Sequence, residues 1–240
     1  KILAKHNLYV CLEEIRRVKQ AILEGRLWEL MELRAQSHPS LLQALKNLKP
    51  YQDFIEKHSP STRRRGIFFF GSQGLSRPEV VRHKKRIMEN YSPPKKAEIL
   101  VLLPQSKVKP YHKSPEIKKN MRKKEDERIH ICVYAAPFGI VPLEIDDVYP
   151  LSQTELVFPP DRETISSVTD AVAMYIKKNP YKAVVLVSKK EVWGKEIIRE
   201  CKKVCKSAGK KFMLAKGGFN RETGRLSHLR GPRSNFNQNR

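Results

Sequence analysis

From residue 67 onward, short and almost wholly apolar runs alternate with amphipathic stretches. That alternation limits the fold more than any other feature of the chain. Ile67–Phe70, Glu98–Leu103, Arg128–Ala136, Lys182–Ser188 and Lys211–Ala215 are strand-sized. After Glu98 the second run has no polar residue, as expected of a strand buried on both faces. Thr164–Lys178 sets Ile165, Val168, Val172 and Ile176 on one stripe, and Lys195–Ala208 reads as a further helix. Gly71–Gly74 closes the first run, and Ser76 or Arg77 caps a helix that Pro78 opens. Strands alternating with helices predict an α/β fold, a layered domain with a mainly parallel sheet over 63–215.

Residues 1–62 have a different texture. Leu8, Leu12, Ile15, Val18 and Ile22 recur at helical spacing, Gly25 interrupts, and Leu27, Trp28, Leu30 and Met31 resume the pattern. Ser37–Ser40 breaks it again, with Ser40 placed to cap a helix carrying Leu41, Leu42, Leu45 and Leu48. The predicted organisation is a helical segment over 1–62, an α/β domain over 63–215 and a basic, flexible tail over 216–240. No internal repeat is visible.

Charge narrows the function. Among 240 residues, 48 are Lys or Arg and 25 are Asp or Glu, a formal net charge of +23. Such an excess favours a polyanionic partner, nucleic acid above all. The charge is bunched: Arg63, Arg64 and Arg65 form one run, and Lys118, Lys119, Arg122, Lys123 and Lys124 another. These two are the predicted phosphate contacts, against the plainer reading of a solvated charged loop. A third group holds Arg82, Lys84, Lys85 and Arg86. No apolar run approaches the roughly 18 residues of a membrane span, so no membrane partner is expected. The start shows no signal peptide, and four scattered cysteines fit a reducing, cytoplasmic setting.

No complete active site emerges from motifs. There is no Walker loop, no dinucleotide fingerprint and no Gly-x-Ser-x-Gly. Asp146-Asp147 are adjacent, so their side chains point apart and make a poor acid–base pair. Cys201 and Cys205 share a helical face without further ligands and read as structural thiols. His6, with Cys11 alone nearby, reads on spacing as a capping or surface histidine.

Longer stretches add a resemblance. His6-Asn7-Leu8-Tyr9-Val10, Glu13–Ile22 and Glu24–Leu30 resemble archaeal tRNA-guanine transglycosylase at the end of its catalytic barrel. Arg77–Val80, Lys109-Pro110-Tyr111 with Ser114, Pro137–Pro142 and Val148–Gln153 resemble that family's first accessory domain. Archaeosine synthase shares this domain and carries Pro-Cys-x3-Lys-Pro-Tyr-x2-Ser-x2-His. Here Gln105 and Ile117 stand at its Cys and His, which disfavours the synthase.

The resemblance implies a C-terminal portion of an enzyme that exchanges guanine at position 15 of the tRNA D-loop for the 7-deazaguanine preQ0, on the way to archaeosine. It implies tRNA as partner, an N-terminal catalytic part or subunit carrying the two aspartates, and a homodimer of the complete enzyme. It places His6 as the histidine of a zinc site whose cysteines lie upstream, so that zinc binds only when they are supplied. The chain itself is expected to lack catalysis and to serve tRNA binding. A free-standing RNA-binding protein derived from such an enzyme is the alternative. The Lys109–Tyr111 turn and the Pro137–Pro142 loop are expected side by side at the C-terminal ends of adjacent strands, where ligand crevices form.

Overall fold

A computed structural model describes residues 1–63, 65–121, 126–188 and 190–216. Its N-terminal block consists of α1 (Ile2–Glu24), α2 (Leu27–Ala35), α3 (Pro39–Lys46) and α4 (Gln52–Lys57). Gly25 ends α1 in the left-handed region, at φ 71°. There its amide and that of Arg26 reach back to the carbonyls of Ile22 and Ala21, so the chain turns sharply into α2. The cap of α3 differs from expectation: His38 takes the position, its Nδ1 accepting the Ser40 amide, with Pro39 as the first helical residue. Proline needs no hydrogen-bond acceptor there, which moves the helix start ahead of Ser40. Trp28, Ala35 and Leu45 make a small core. α1 buries nothing, and Leu8, Leu12, Ile15 and Ile22 stay exposed.

Then follow β1 (Ile67–Phe69), α5 (Pro78–Glu89), β2 (Ile99–Pro104), α6 (Pro115–Met121), β3 (Ile129–Ala135), β4 (Gly139–Pro142) and β5 (Thr154–Leu156). The chain continues through α7 (Arg162–Lys178), β6 (Ala183–Ser188), α8 (Lys190–Trp193), α9 (Glu196–Ser207) and β7 (Lys211–Lys216). The main sheet has the order β4-β3-β2-β6-β7. All its neighbours are parallel except β3 and β4.

Alternation along β2 splits its side chains between two cores. Val101 and Leu103 meet Val80, Ile117 and Val133 on one side. Leu100 and Leu102 meet Val172, Ile176, Ile197 and Cys201 of α7 and α9 on the other. Burial on both faces is why this strand reads as a continuous apolar run. Cys201 and Cys205 are fully buried in the second layer, and burial pushes the Cys201 thiol up to about 12.

Two elements depart from the sequence reading. β1 does not enter the main sheet but pairs in parallel with β5, Ile67 opposite Thr154 and Phe69 opposite Leu156. The Pro137–Pro142 segment is not an open loop. Gly139, at φ 87°, reverses the chain into β4, and a Cβ there would lie 2.6 Å from Ala171 Cβ on α7. Glycine thus permits both the turn and the close helix. Among the described residues, no helix is long and apolar enough to cross a membrane.

Candidate nucleic-acid interface

The structure separates the basic residues into those that hold the fold and those that face water. Arg63, predicted to meet phosphate, is committed inward. Its side chain is 12 % exposed, its Nε lies 3.0 Å from Glu79 Oε1, and its Nη1 donates to the Gly25 carbonyl at 2.6 Å. Arg65 faces solvent, with Glu24 at 3.7 Å. Lys118 and Lys119 on α6 are exposed. Arg64, Arg122, Lys123 and Lys124 lie outside the described residues, as does the tail from residue 217.

Two further arginines, Arg77 and Arg82, join the helical block to the α/β domain. Arg77 is fully buried: Nη2 donates to Glu29 Oε1 at 2.8 Å, Nη1 donates to the Phe68 carbonyl at 3.0 Å, and Nε sits 3.5 Å from Glu79. Arg82 donates to Glu56 Oε1 at 2.6 Å and to the carbonyls of Glu56, Ser59 and Pro60 at the end of α4. The Glu56 carbonyl is in the last turn of α4 and those of Ser59 and Pro60 are in the chain that follows, so Arg82 ties the exit of α4 to α5. It therefore belongs to the joint, while the neighbouring Lys84 donates to Ser167 Oγ at 2.7 Å and burial lowers its ammonium pKa to about 8.

A crevice of about 1270 Å³ lies at the C-terminal ends of β2, β6 and β7. β2 is followed in sequence by β3 on one side and has β6 on the other, so the crevice sits where the strand order reverses. Gln105–Lys109, Ser114, Glu155 and Ser188 are on its walls. Lys109 Nζ donates to the Thr154 carbonyl, and burial lowers its pKa to about 8 against the pull of Glu155. Asp146, 1 % exposed, accepts the His112 amide and faces its Nδ1, each at 2.6 Å, while Asp147 faces solvent. The segments after β2 and β3 do touch: Gln105 Oε1 accepts the Ala136 amide at 2.8 Å. Beyond that contact, Tyr111 belongs to the same buried core as Phe138 and Val141. Residues 137–142 turn back as β4, with Phe138 and Ile140 on a different groove, and the crevice opens toward β6 and β7 instead.

Sequence reading missed one buried polar cluster. His130, fully buried, has Tyr181 Oη 2.6 Å from Nδ1, and Tyr91 Oη at 3.0 Å and Glu144 Oε2 at 3.3 Å from Nε2. Tyr175 Oη extends the chain at 3.2 Å from Tyr181 Oη. Its members are far apart in sequence, so spacing carries no trace of it.

His6 is an exposed residue of α1 and Cys11 an exposed thiol. Among the described residues, no three His, Cys, Asp or Glu side chains converge as metal ligands. The residues present therefore do not fit a zinc site by themselves.

Comparison with known proteins gives two family matches. A domain of unknown function, DUF5591, matches residues 80–229, and queuine tRNA-ribosyltransferase matches residues 1–40. The tRNA-guanine(15) transglycosylase of Methanococcus maripaludis strain C6 is 42 % identical over 156 residues, 65 % of this chain and 22 % of its own length. Those of Methanocaldococcus jannaschii and Saccharolobus solfataricus are each 38 % identical, over 74 % and 78 % of this chain and 26 % and 37 % of their own. The chain thus spans between about a fifth and two fifths of these relatives. Among solved structures, the crystal structure of AF0587, a protein of unknown function, matches at a TM-score of 0.43 and 19 % identity, over 61 % of this chain and 48 % of that one.

Proposed function

This chain belongs to the DUF5591 domain family and matches archaeal tRNA-guanine transglycosylase as a C-terminal portion; from that premise we propose that it binds tRNA on behalf of guanine-15 exchange. The observation that carries the reading is the pair of matches in order, 1–40 and 80–229, on a chain of net charge +23. The exchange of guanine for preQ0 needs a carboxylate aligned on the anomeric carbon of ribose. No such group is assigned among these residues, and we place it in the greater part of the relatives' length that this chain does not span. The partners in this reading are tRNA, that catalytic part and a second copy of the complete enzyme, in the cytoplasm. Zinc at His6 would need thiolates from outside the helical block, since one exposed imidazole binds the metal weakly.

The synthase alternative has less support. Gln105, at the position of the synthase cysteine, spends its side chain strapping β2 to β3, and Ile117 is a core residue. A free-standing RNA-binding protein shares the same binding chemistry but none of the exchange. The test measures tRNA affinity of the chain against salt, then base exchange with labelled guanine. We expect tight, steeply salt-dependent binding and no incorporation by the chain alone. Incorporation would refute the placement of the catalytic carboxylate, and salt-insensitive or absent binding would refute the tRNA role. Restored exchange on adding the catalytic part separates an enzyme portion from a free-standing binder.

A further inference from the structure

We propose that Phe68 and Phe70 form a stacking platform for unpaired nucleotides of an RNA strand. The inference rests on the tRNA-binding reading and names a surface for it.

The platform follows from strand alternation. Ile67 and Phe69 point inward and are 1 % and 3 % exposed, so the next residues on each side point outward. Both outward residues are phenylalanines. Phe70 is half exposed and Phe68 partly so, with ring centroids 6.4 Å apart. Two phenyl rings on the water side of a three-residue strand gain nothing by hydration.

Their surroundings define the occupant. The Arg26 guanidinium lies 5.5 Å from the Phe68 ring centroid. A groove of about 620 Å³ runs from these rings between α1 and α2, over Leu30 and Leu33. On the other side of Arg26 and Phe68 a second hollow, about 580 Å³, is bordered by Arg65, Lys107 and Lys109. Of the nearby acids, Glu24 and Glu29 face Arg65 and Arg77, and Glu155 lies beside Lys109 in the second hollow. Aromatic faces with Arg26 over one ring and Arg65, Lys107 and Lys109 along one side match a strand whose bases stack while its phosphates are neutralised. A wholly apolar helix face would leave Arg26 and Lys107 without counter-charges. Bases in a duplex are stacked on each other and unavailable, so the platform selects unpaired segments.

The experiment uses the whole chain with a short single-stranded RNA, an RNA duplex and a tRNA transcript, read by fluorescence anisotropy over a range of salt. Phe70→Ala, alone and with Phe68→Ala, should weaken binding of single-stranded RNA by roughly tenfold while leaving the salt slope unchanged. Duplex affinity should not move. Arg65→Gln should instead lower the salt slope by about one phosphate contact. Phe70→Trp should keep the affinity and lose emission as RNA saturates. Thermal melting checks each variant, and should the double variant unfold, the two single changes at Phe70 carry the test. Unchanged affinity of folded Phe70→Ala, or unmoved emission of Phe70→Trp, overturns the platform while the tRNA reading stands. Failure of the parent chain to bind any RNA overturns both.

Discussion

Removing the Arg77 guanidinium should undock the helical block from the α/β domain. The side chain is fully buried and lies within 2.8 Å of Glu29 and 3.5 Å of Glu79. At an effective dielectric constant of about 20, two unit charges 4 Å apart attract by about 4 kcal/mol, and desolvation consumes much of that. Deleting one partner is a different matter, because the desolvation has been suffered and the compensation is gone. Arg77→Met leaves Glu29 without its cation, Glu79 with Arg63 alone, and the Phe68 carbonyl without its donor. The expected cost is about 3–5 kcal/mol, a large share of the roughly 5–15 kcal/mol that holds a domain folded. Tryptophans report on both sides: Trp28 is buried in the helical block and Trp193 in the α/β core. Urea unfolding followed by fluorescence, with each tryptophan in turn replaced by phenylalanine, should show the Trp28 transition moving to lower urea ahead of Trp193. Adding Glu29→Leu to Arg77→Met should recover part of the loss, since Glu79 keeps Arg63 and the paired removal leaves fewer uncompensated charges. A single transition within about 1 kcal/mol of the parent would refute the claim that charges hold this joint.

Two buried groups give opposite pH slopes. Burial raises the Glu32 carboxyl from 4.5 to about 6, with the Trp28 hydrogen bond and Arg77 pulling the other way. The folded state holds a proton that the unfolded chain releases, so stability falls as pH rises from 4.5 to 6, by about 2 kcal/mol. Glu32→Gln should flatten that slope and raise the urea midpoint at pH 7. Burial lowers His83 from 6.5 to about 4, its Nε2–H donating to the Ile140 carbonyl at 2.7 Å. Its contribution is present above pH 6.5 and lost toward pH 4, by about 3 kcal/mol, so His83→Gln should blunt the acid limb of urea midpoints taken across pH. A thiol reagent should label Cys11 in the native protein and reach Cys132, Cys201 and Cys205 only on unfolding; rapid native labelling of more than one thiol would contradict their burial.

The elements legible in the sequence are those whose environment is uniform. β2, β3 and β6 lie between two layers, so their apolar runs mark them within a residue or two, as the run Phe212–Ala215 marks the edge strand β7. α7 is a long one-sided helix and announces itself by its stripe. Thr154-Glu155-Leu156 is too short to show a period, so β5 was invisible, and with it the true partner of β1. The charged joint was illegible for a different reason. Arg63 and Arg65 stand in the same basic run, yet one is buried on Glu79 and the other faces water. Only the return of Glu79 from α5 distinguishes them, and Glu29 reaches Arg77 across 48 positions. Composition registered these residues as surface charge, although several of them form the interior contact between the two parts.

The β1–β5 ladder sets an order of assembly. β1 leaves the ribosome ahead of β2, β3 and β4, and its partner strand follows only after those three have been made. At roughly 5–20 residues per second, that delay amounts to several seconds. Throughout it, Ile67 and Phe69 have no opposite strand, and the Phe68 carbonyl that anchors Arg77 is not yet in place. Contacts this distant in sequence also pay the largest loop-closure entropy, so they come late even in refolding. The aromatic strand is thus an unpaired edge for about as long as the side of β2 that waits for β6, and residues 67–70 are open to association throughout that time.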